Sequence, residues 1–291
     1  MTSYSSKQLR ATLVLPQANF PGTSDNTLTL TGYRMSATVN CAARYQNTLD
    51  IAIYGMKQED MNAVTILWSA ATPQEVATDA LITLEASPDG SAWTQVFNGT
   101  FVEASPDYQQ VPYACLRAYA VTGNAAQISA APPTSYKGAT SIAEIATYLA
   151  GRMGFALENN GVSGNLANPY FPGSYMDQFR ELCEHANVDY YFDGNATLAI
   201  CPANQPRQNK AVPVLSPTSG LINRPSVQRF GIHIDALFTP GLTLGGKVQV
   251  TGSDVPGANG TWMPMRTTHQ LESLMPDGAW FTAMDCTRVP A

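Results

Sequence analysis

Two-residue alternation of apolar and polar positions marks the first part of the chain, from Thr12 to about Thr122. Leu28 and Leu30 alternate with threonines, Met35, Ala37, Val39 and Cys41 keep the same period, and Leu49, Ile51 and Ile53 repeat it. Successive side chains of a strand point to opposite faces, so this pattern predicts strands with one face in a core. Further strands are predicted over Ala80–Ala86, Trp93–Phe97 and Leu116–Val121, with Ser87-Pro88-Asp89-Gly90 as the turn between the first two. A short helix is predicted over Gln58–Leu67.

Beyond Pro132-Pro133 the period changes. Ile142, Ile145, Ala146, Leu149 and Met153 recur at helical spacing behind Ser141 and Glu144, which have the spacing of a capping box. Gly151 and Gly154 stand where that helix would end. Ser174 and Asp177 open a second helix that carries Met176, Phe179, Cys183 and Ala186 on one stripe. Val188–Phe192 and Thr197–Ile200 form a predicted hairpin across Asp193-Gly194-Asn195. From about Val212 strands return: Ile232, Ile234 and Ala236, then Leu242 and Leu244, Val248 and Val250, Thr261–Thr268 and Trp280–Thr287. Turns every 8–12 residues or so fit a small barrel. The expected fold is mainly β with an α+β insert. It comprises a first barrel-like domain at 1–133, the α+β module at 134–204 and a second barrel-like domain at 205–291.

Composition adds one point. Only 13% of residues are charged, against 44% hydrophobic, where about a quarter charged is usual. Either neutral polar side chains cover the surface or other chains do. The net charge of −6 comes with no Lys/Arg run, so a basic footprint for nucleic acid is missing. No apolar stretch nears the roughly 20 residues that span a bilayer, so no stable membrane insertion is expected. The polar Met1–Arg10 lacks a signal peptide's apolar core, which predicts assembly in a cytoplasm. Cys41, Cys115, Cys183, Cys201 and Cys286 are odd in number, widely spaced and set among apolar neighbours. They read as buried hydrophobes rather than a disulfide framework.

Candidate chemistry is weak at every position weighed. His185, His233 and His269 are far apart in sequence and match no metal-ligand spacing. Glu184 and His185, beside Cys183, are adjacent on a helix and so point in different directions. Gly161-Val162-Ser163-Gly164 fails the nucleophile-elbow pattern because residue 165 is Asn, and reads as a loop. Gly241 to Gly246 lacks the dinucleotide register, and Lys247 leads into a strand rather than a helix, so no phosphate loop is implied. Asp189 and Asp193 could be paired only as acid and base of a hydrolase, but Asp193 sits where Asp favours a turn. Trp262, Trp280, Tyr170, Phe171, Tyr190 and Tyr191 would either stack on sugar rings or pack cores and intersubunit faces; packing is the better reading. No catalytic, cofactor or metal residue is assigned.

A resemblance joins these pieces. Val96-Phe97-Asn98-Gly99-Thr100-Phe101-Val102-Glu103-Ala104 resembles a strand-turn-strand segment of the phage tail hub family, which includes late-control D proteins and the N-terminal part of type VI secretion spike proteins. The same family is resembled by Tyr136-Lys137-Gly138, Asn159-Asn160-Gly161-Val162, Asn168-Pro169-Tyr170-Phe171, Gly173-Ser174 and Leu198-Ala199-Ile200-Cys201-Pro202, in that order. Ser219-Gly220-Leu221-Ile222, Gly231-Ile232, Ala258-Asn259-Gly260-Thr261-Trp262, His269 and Trp280-Phe281-Thr282 continue it. The resemblance implies a non-enzymatic virion protein of the tail tip or baseplate. It implies a homotrimeric ring that adapts a six-fold tail tube or distal tail protein to a three-fold central spike or fibre. DNA would pass its lumen without specific binding, and the tape-measure protein is a further candidate partner. No cofactor is implied. A carbohydrate-binding β-module is the alternative function, and a cell-wall hydrolase a third.

Overall fold

The structure, a computed structural model, describes residues 7–65, 80–109, 113–208 and 211–289. It is mainly β. The chain divides into two compact units: one is residues 1–40, 47–124 and 269–280, the other 41–46, 125–268 and 281–291.

The first unit begins with β1 (Gln8–Val14), β2 (Thr27–Thr31), β3 (Arg34–Ala42) and β4 (Thr48–Tyr54). Helix α1 (Gln58–Ala63) follows, then β5 (Leu81–Ser87), β6 (Thr94–Asp107) and β7 (Cys115–Val121); the short α2 (Asn124–Ile128) leads into the second unit. The strands pair antiparallel in the order β3-β4-β7-β6-β5-β1-β2. Alternation does what the sequence predicts. Leu9, Leu13, Met35, Val39, Leu49, Ile53, Ile82, Leu84 and Leu116 are fully or almost fully buried on one face. The predicted helix over Gln58–Leu67 is shorter and ends at Ala63; positions 66 and 67 lie outside the described residues.

One sequence reading is corrected here. Val96–Ala104 is not strand-turn-strand but the interior of a single 14-residue strand, β6, with register shifts opposite Leu84/Glu85 and at Phe101/Glu103. Gly99 is there for closeness rather than for turning. A Cβ on it would sit 2.8 Å from the carbonyl carbon and oxygen of Val121 and 2.7 Å from the Phe97 ring.

The second unit carries β8 (Thr134–Ser135), β9 (Ala139–Ser141), α3 (Ile142–Arg152), β10 (Ala156–Asn159), β11 (Asn165–Ala167) and β12 (Tyr170–Phe171). Next come α4 (Tyr175–His185), β13 (Val188–Phe192) and β14 (Thr197–Pro202). Helices α3 and α4 pack on a three-stranded sheet of order β10-β14-β13, in which β10 runs parallel to β14. Edge-to-face ring pairs fix the core, Phe155–Phe192 at 5.1 Å and Phe179–Tyr190 at 5.3 Å between centroids.

Helix α4 has the capping box its sequence announces. Ser174 Oγ accepts from the Asp177 N–H at 3.2 Å, and Asp177 accepts from the Ser174 N–H in return. Helix α3 does not. Ser141 is its N-cap, but the side chain makes no cap bond. Ser141 also ends β9, paired with Asn165, and the Ile142 N–H is taken by the Gly164 carbonyl at 3.1 Å. The other end of α3 closes as predicted. Gly154, at φ +83°, donates to Gly151, and Phe155 donates to Ala150, which satisfies the carbonyls a helix end leaves open.

Beyond it lie β15 (Val214–Leu215), β16 (Ser226–Gln228), β17 (Gly231–Leu237), β18 (Val248–Val250), β19 (Gly260–Ser273) and β20 (Trp280–Arg288). Their order is β16-β17-β20-β19, with β18 on β19 and β15 on β18. Ile232, Ile234 and Ala236 are buried as predicted. Leu242 and Leu244 are buried too, but in a turn-rich loop rather than a strand. The C-terminal part of β19 belongs to the first unit, where Ser36 donates to Glu272 and Ser273 donates to the Tyr33 carbonyl.

Candidate assembly surfaces

The residues weighed for chemistry do not converge. His185 and Glu184 are exposed on α4. His269 is 8% exposed, and burial pushes its imidazole down to about 4. His233, on β17, bonds Asp285 at 2.7 Å and approaches Asp235 at 3.4 Å, and these carboxylates raise its pKa against partial burial. Each nitrogen of His233 thus faces a different carboxylate. No His/Cys/Asp/Glu group among the described residues has metal-holding geometry. The five cysteines are free and buried. Burial pushes the Cys41 thiol up to about 12, and Cys201 and Cys286 likewise. A thiol held protonated is a poor nucleophile. Among the described residues no helix is long and apolar enough to cross a membrane.

Trp262, Trp280, Phe171, Tyr190 and Tyr191 are buried, and the Trp262 indole N–H donates to Ala258 at 2.8 Å. Of the six aromatics only Tyr170 is exposed, at 60%. Packing therefore accounts for five of them.

Asp189 and Asp193 do not face each other as an acid and a base; each holds a different arginine. Asp189 is buried on β13 and accepts from the Arg44 Nε at 2.5 Å and from the Asn204 N–H at 2.7 Å. Arg44 itself sits at φ +64°, with its N–H bonded to the Tyr190 carbonyl and its carbonyl bonded to the Tyr190 hydroxyl. Asp193 makes its turn bond through the backbone, to Thr197 at 2.9 Å, and spends its carboxylate on Arg207.

Arg207 is the residue that sequence reasoning missed. Its side chain is fully buried and forks two ways: Nε and Nη2 to Glu158 at 3.0 and 2.8 Å, Nη1 and Nη2 to Asp193 at 2.7 and 2.7 Å. Burial pulls its pKa down, but the hydrogen bonds and charges of Asp193 and Glu158 more than reverse this. The Arg207 N–H is held by the Gly245 carbonyl at 2.8 Å. Gly245, at φ +71°, lies so close to Tyr191 that a Cβ would meet the ring at 2.6 Å. Planar, bidentate, permanently charged recognition is what arginine supplies. Here it fixes the loop after β14 against the β10 and β13 ends and the loop before β18.

Two surfaces remain open. The first is the polar face of the β3-β4-β7-β6 sheet. Pairing aligns Ser36, Ala52, Arg117 and Ser105 in one row and Thr38, Asp50, Tyr119 and Glu103 in the next. They line an open depression of about 410 Å³. The nearby cations are engaged: Arg117 bonds Asp107 at 2.7 Å, Arg10 is bidentate to Glu85, and Arg34 lies over the Tyr54 ring at 4.7 Å. Asp50 and Glu103 are exposed, so the surface is neutral polar with two carboxylates and the ion-paired Arg117. The second is the β16–β17 hairpin, where Val227 is 65% and Phe230 78% exposed.

The fold is similar to that of solved tail proteins. The structure is similar to the 43 kDa tail protein of prophage MuSo2 from Shewanella oneidensis, with TM-score 0.62, 10% identity, and 98% of this chain and 97% of that one covered. It is similar to a tail protein from Neisseria meningitidis MC58, with TM-score 0.63, 9% identity, and 98% and 97% covered. It is also similar to the E. coli c3393 protein, a type VI secretion component described as structurally similar to the T4 tail proteins gp27 and gp5, with TM-score 0.58, 11% identity, and 89% and 76% covered. At such identities these likenesses establish the fold alone. No curated protein sequence matches the chain. The family model "Baseplate hub gp41" matches residues 9–284. The chain belongs to that baseplate hub family, and its role is structural, in the tail of a virion.

Proposed function

We propose that this protein is the non-enzymatic hub of a phage tail tip or baseplate, a homotrimeric ring that adapts a six-fold tail tube to a three-fold central spike or fibre. One observation carries the reading: a baseplate hub family match that runs through nearly all of a chain with two β regions around an α+β module. The segments 1–133, 134–204 and 205–291 are its working divisions, with a barrel-like domain at each end. Two barrel-like domains per subunit, taken three times, would present six surfaces to a hexameric tube. Closed rotational symmetry keeps such an assembly finite.

The open depression around Asp50 and Glu103 has the chemistry of a lumen wall. Its two carboxylates repel DNA phosphates and its cation, Arg117, is already tied to Asp107, so the wall offers a phosphate little to grip and DNA passes without specific binding. Tail tube or distal tail protein, spike or fibre, and tape-measure protein are the partners this role requires, with assembly in the cytoplasm of the host bacterium. Burial of Trp262 and Trp280 leaves Tyr170 as the one exposed ring of the six weighed for stacking on a sugar, which favours the hub over a sugar-binding module.

The test is the mass and shape of the purified protein. Light scattering with electron microscopy should give a trimeric ring with a central hole. A stable monomer at high concentration would overturn the reading. A peptidoglycan-clearing assay should show no activity.

A further inference from the structure

Among the described residues, the strand β16 ends the sheet of the second unit and pairs only with β17. All three of its residues are exposed. Its apolar residue is out of keeping with that exposure. Val227 pairs with Ile232, which is 1% exposed, and directly paired residues share a sheet face. Val227 therefore lies on the apolar face of the sheet yet is 65% exposed. Phe230, in the turn that follows, is 78% exposed, with the Arg229 guanidinium stacked over its ring at 5.0 Å. Open edges with exposed apolar side chains are templates for another strand.

A second edge strand lies on the same chain. Among the described residues, strand β2 pairs only with β1. It shows exposed Thr27, Thr29 and Thr31 on one face and Leu28 and Leu30 on the other.

We propose that β16 of one copy adds antiparallel to β2 of a neighbouring copy, with Val227 opposite Leu28, and that this contact closes the ring. The inference rests on the ring reading above and assigns its interface. Three features select this occupant and register. Val227 opposite Leu28 continues one apolar face from copy to copy, since a one-residue slip would put it against a threonine. The same register sets Arg229 opposite Asn26 and next to Asp25, and pairs a cation with a carboxylate on a chain that has few of either. The alternative of two β16 edges meeting antiparallel brings Arg229 toward Arg224 of the other copy, whose charge Asp254 already takes up, so Arg229 gains no free carboxylate there. A contact between different patches is heterologous, and heterologous contacts form rings when the rotation closes.

Two sets of variants test this after the mass of the wild-type protein is measured. Val227→Lys with Phe230→Lys should raise the trimer's dissociation constant at least 100-fold by light scattering, with the far-UV circular dichroism unchanged. Ser226→Cys with Thr29→Cys, which the register places face to face, should give disulfide-linked dimers and trimers on a non-reducing gel after mild oxidation. Either single cysteine should give none. A wild-type trimer that survives the double lysine variant and does not crosslink through the cysteine pair overturns the edge assignment and leaves the hub reading standing. Crosslinking by Ser226→Cys alone also overturns it, because that is the two-fold contact. A wild-type protein that stays monomeric overturns both.

Discussion

Replacing Arg207 with methionine removes the guanidinium and leaves its stem. Four charge-assisted hydrogen bonds are lost at once, and Glu158 and Asp193 are left facing a buried space. Breaking a buried ion pair from one side costs roughly 3–5 kcal/mol, most of it the penalty of the charges left behind. The carboxylates keep some contact with water, at 26% and 15% side-chain exposure. Water then offsets part of the loss, which sets the expectation at the lower end, about 3 kcal/mol, or more than 100-fold in the folding equilibrium. Urea unfolding followed by circular dichroism at neutral pH reads this directly. Removing the stranded charges should restore stability. Adding Glu158→Gln and Asp193→Asn to the methionine variant should recover at least half of the loss, because the cost lies in stranded charge rather than in missing attraction. A methionine variant within about 1 kcal/mol of wild type would refute the argument. So would a triple variant no more stable than the single one.

Other outcomes follow from the same structure. Ser174→Ala should cost about 1 kcal/mol by thermal unfolding, whereas Ser141→Ala, which loses no cap bond, should stay within about 0.5 kcal/mol. Gly99→Ala forces a methyl against the Val121 backbone and should cost about 1–3 kcal/mol; Gly257→Ala, with nothing within 4 Å of its Cβ, should be near neutral. His269 and His233 should give opposite pH dependences of the urea midpoint. His269 has its folded pKa depressed to about 4 by burial, so its contribution is present above about pH 6.5 and is lost as pH falls toward 4. His269→Gln should flatten that slope. The folded pKa of His233 is raised by Asp285 and Asp235. Its contribution is complete below about pH 6.5 and is lost as pH rises through the folded value, a dependence that His233→Asn should abolish.

The parts of the fold that the sequence discloses are those whose signal is local. Met35, Val39, Ile232 and Ile234 alternate because each strand has one buried face, and no knowledge of the partner strand is needed. Ser174 and Asp177 cap a helix within four residues of each other. Ser141 and Glu144 have the same spacing and fail, since a neighbouring strand and the Gly164 carbonyl reach the helix end first. Asn98-Gly99 has the composition of a turn but lies in the middle of β6, because the glycine is needed for the approach of β7. Arg207 left no local trace at all. It sits in a loop after Pro206, and its partners are 49 and 14 residues away. A lone arginine in a chain with so few charges is the only signal that could have pointed to it.

The sparse charge of the chain has two physical origins, and they bear differently on assembly. One is the polar face of the first sheet, where Ser36, Thr38, Thr83, Asn98 and Ser105 do the work that lysine and glutamate do on most surfaces. Threonine and serine suit strands and keep a face wet without fixing a sign of charge. Such a face needs no protein partner. The other is the β16–β17 hairpin, where Val227 and Phe230 stand in water. Low charge alone therefore does not say how much of a surface other chains cover. What separates the two cases is whether the side chain on an exposed strand matches the face it occupies: Thr38 and Asp50 do, as polar residues on a polar face, and Val227 does not, as an apolar continuation of a core that stops at the sheet edge. The groups with shifted pKa values point the same way. Such shifts often mark active sites, but here Cys41, Cys286 and His269 are shifted chiefly by burial, and Arg207 by its ion pairs. Each of these shifts follows from holding the fold together.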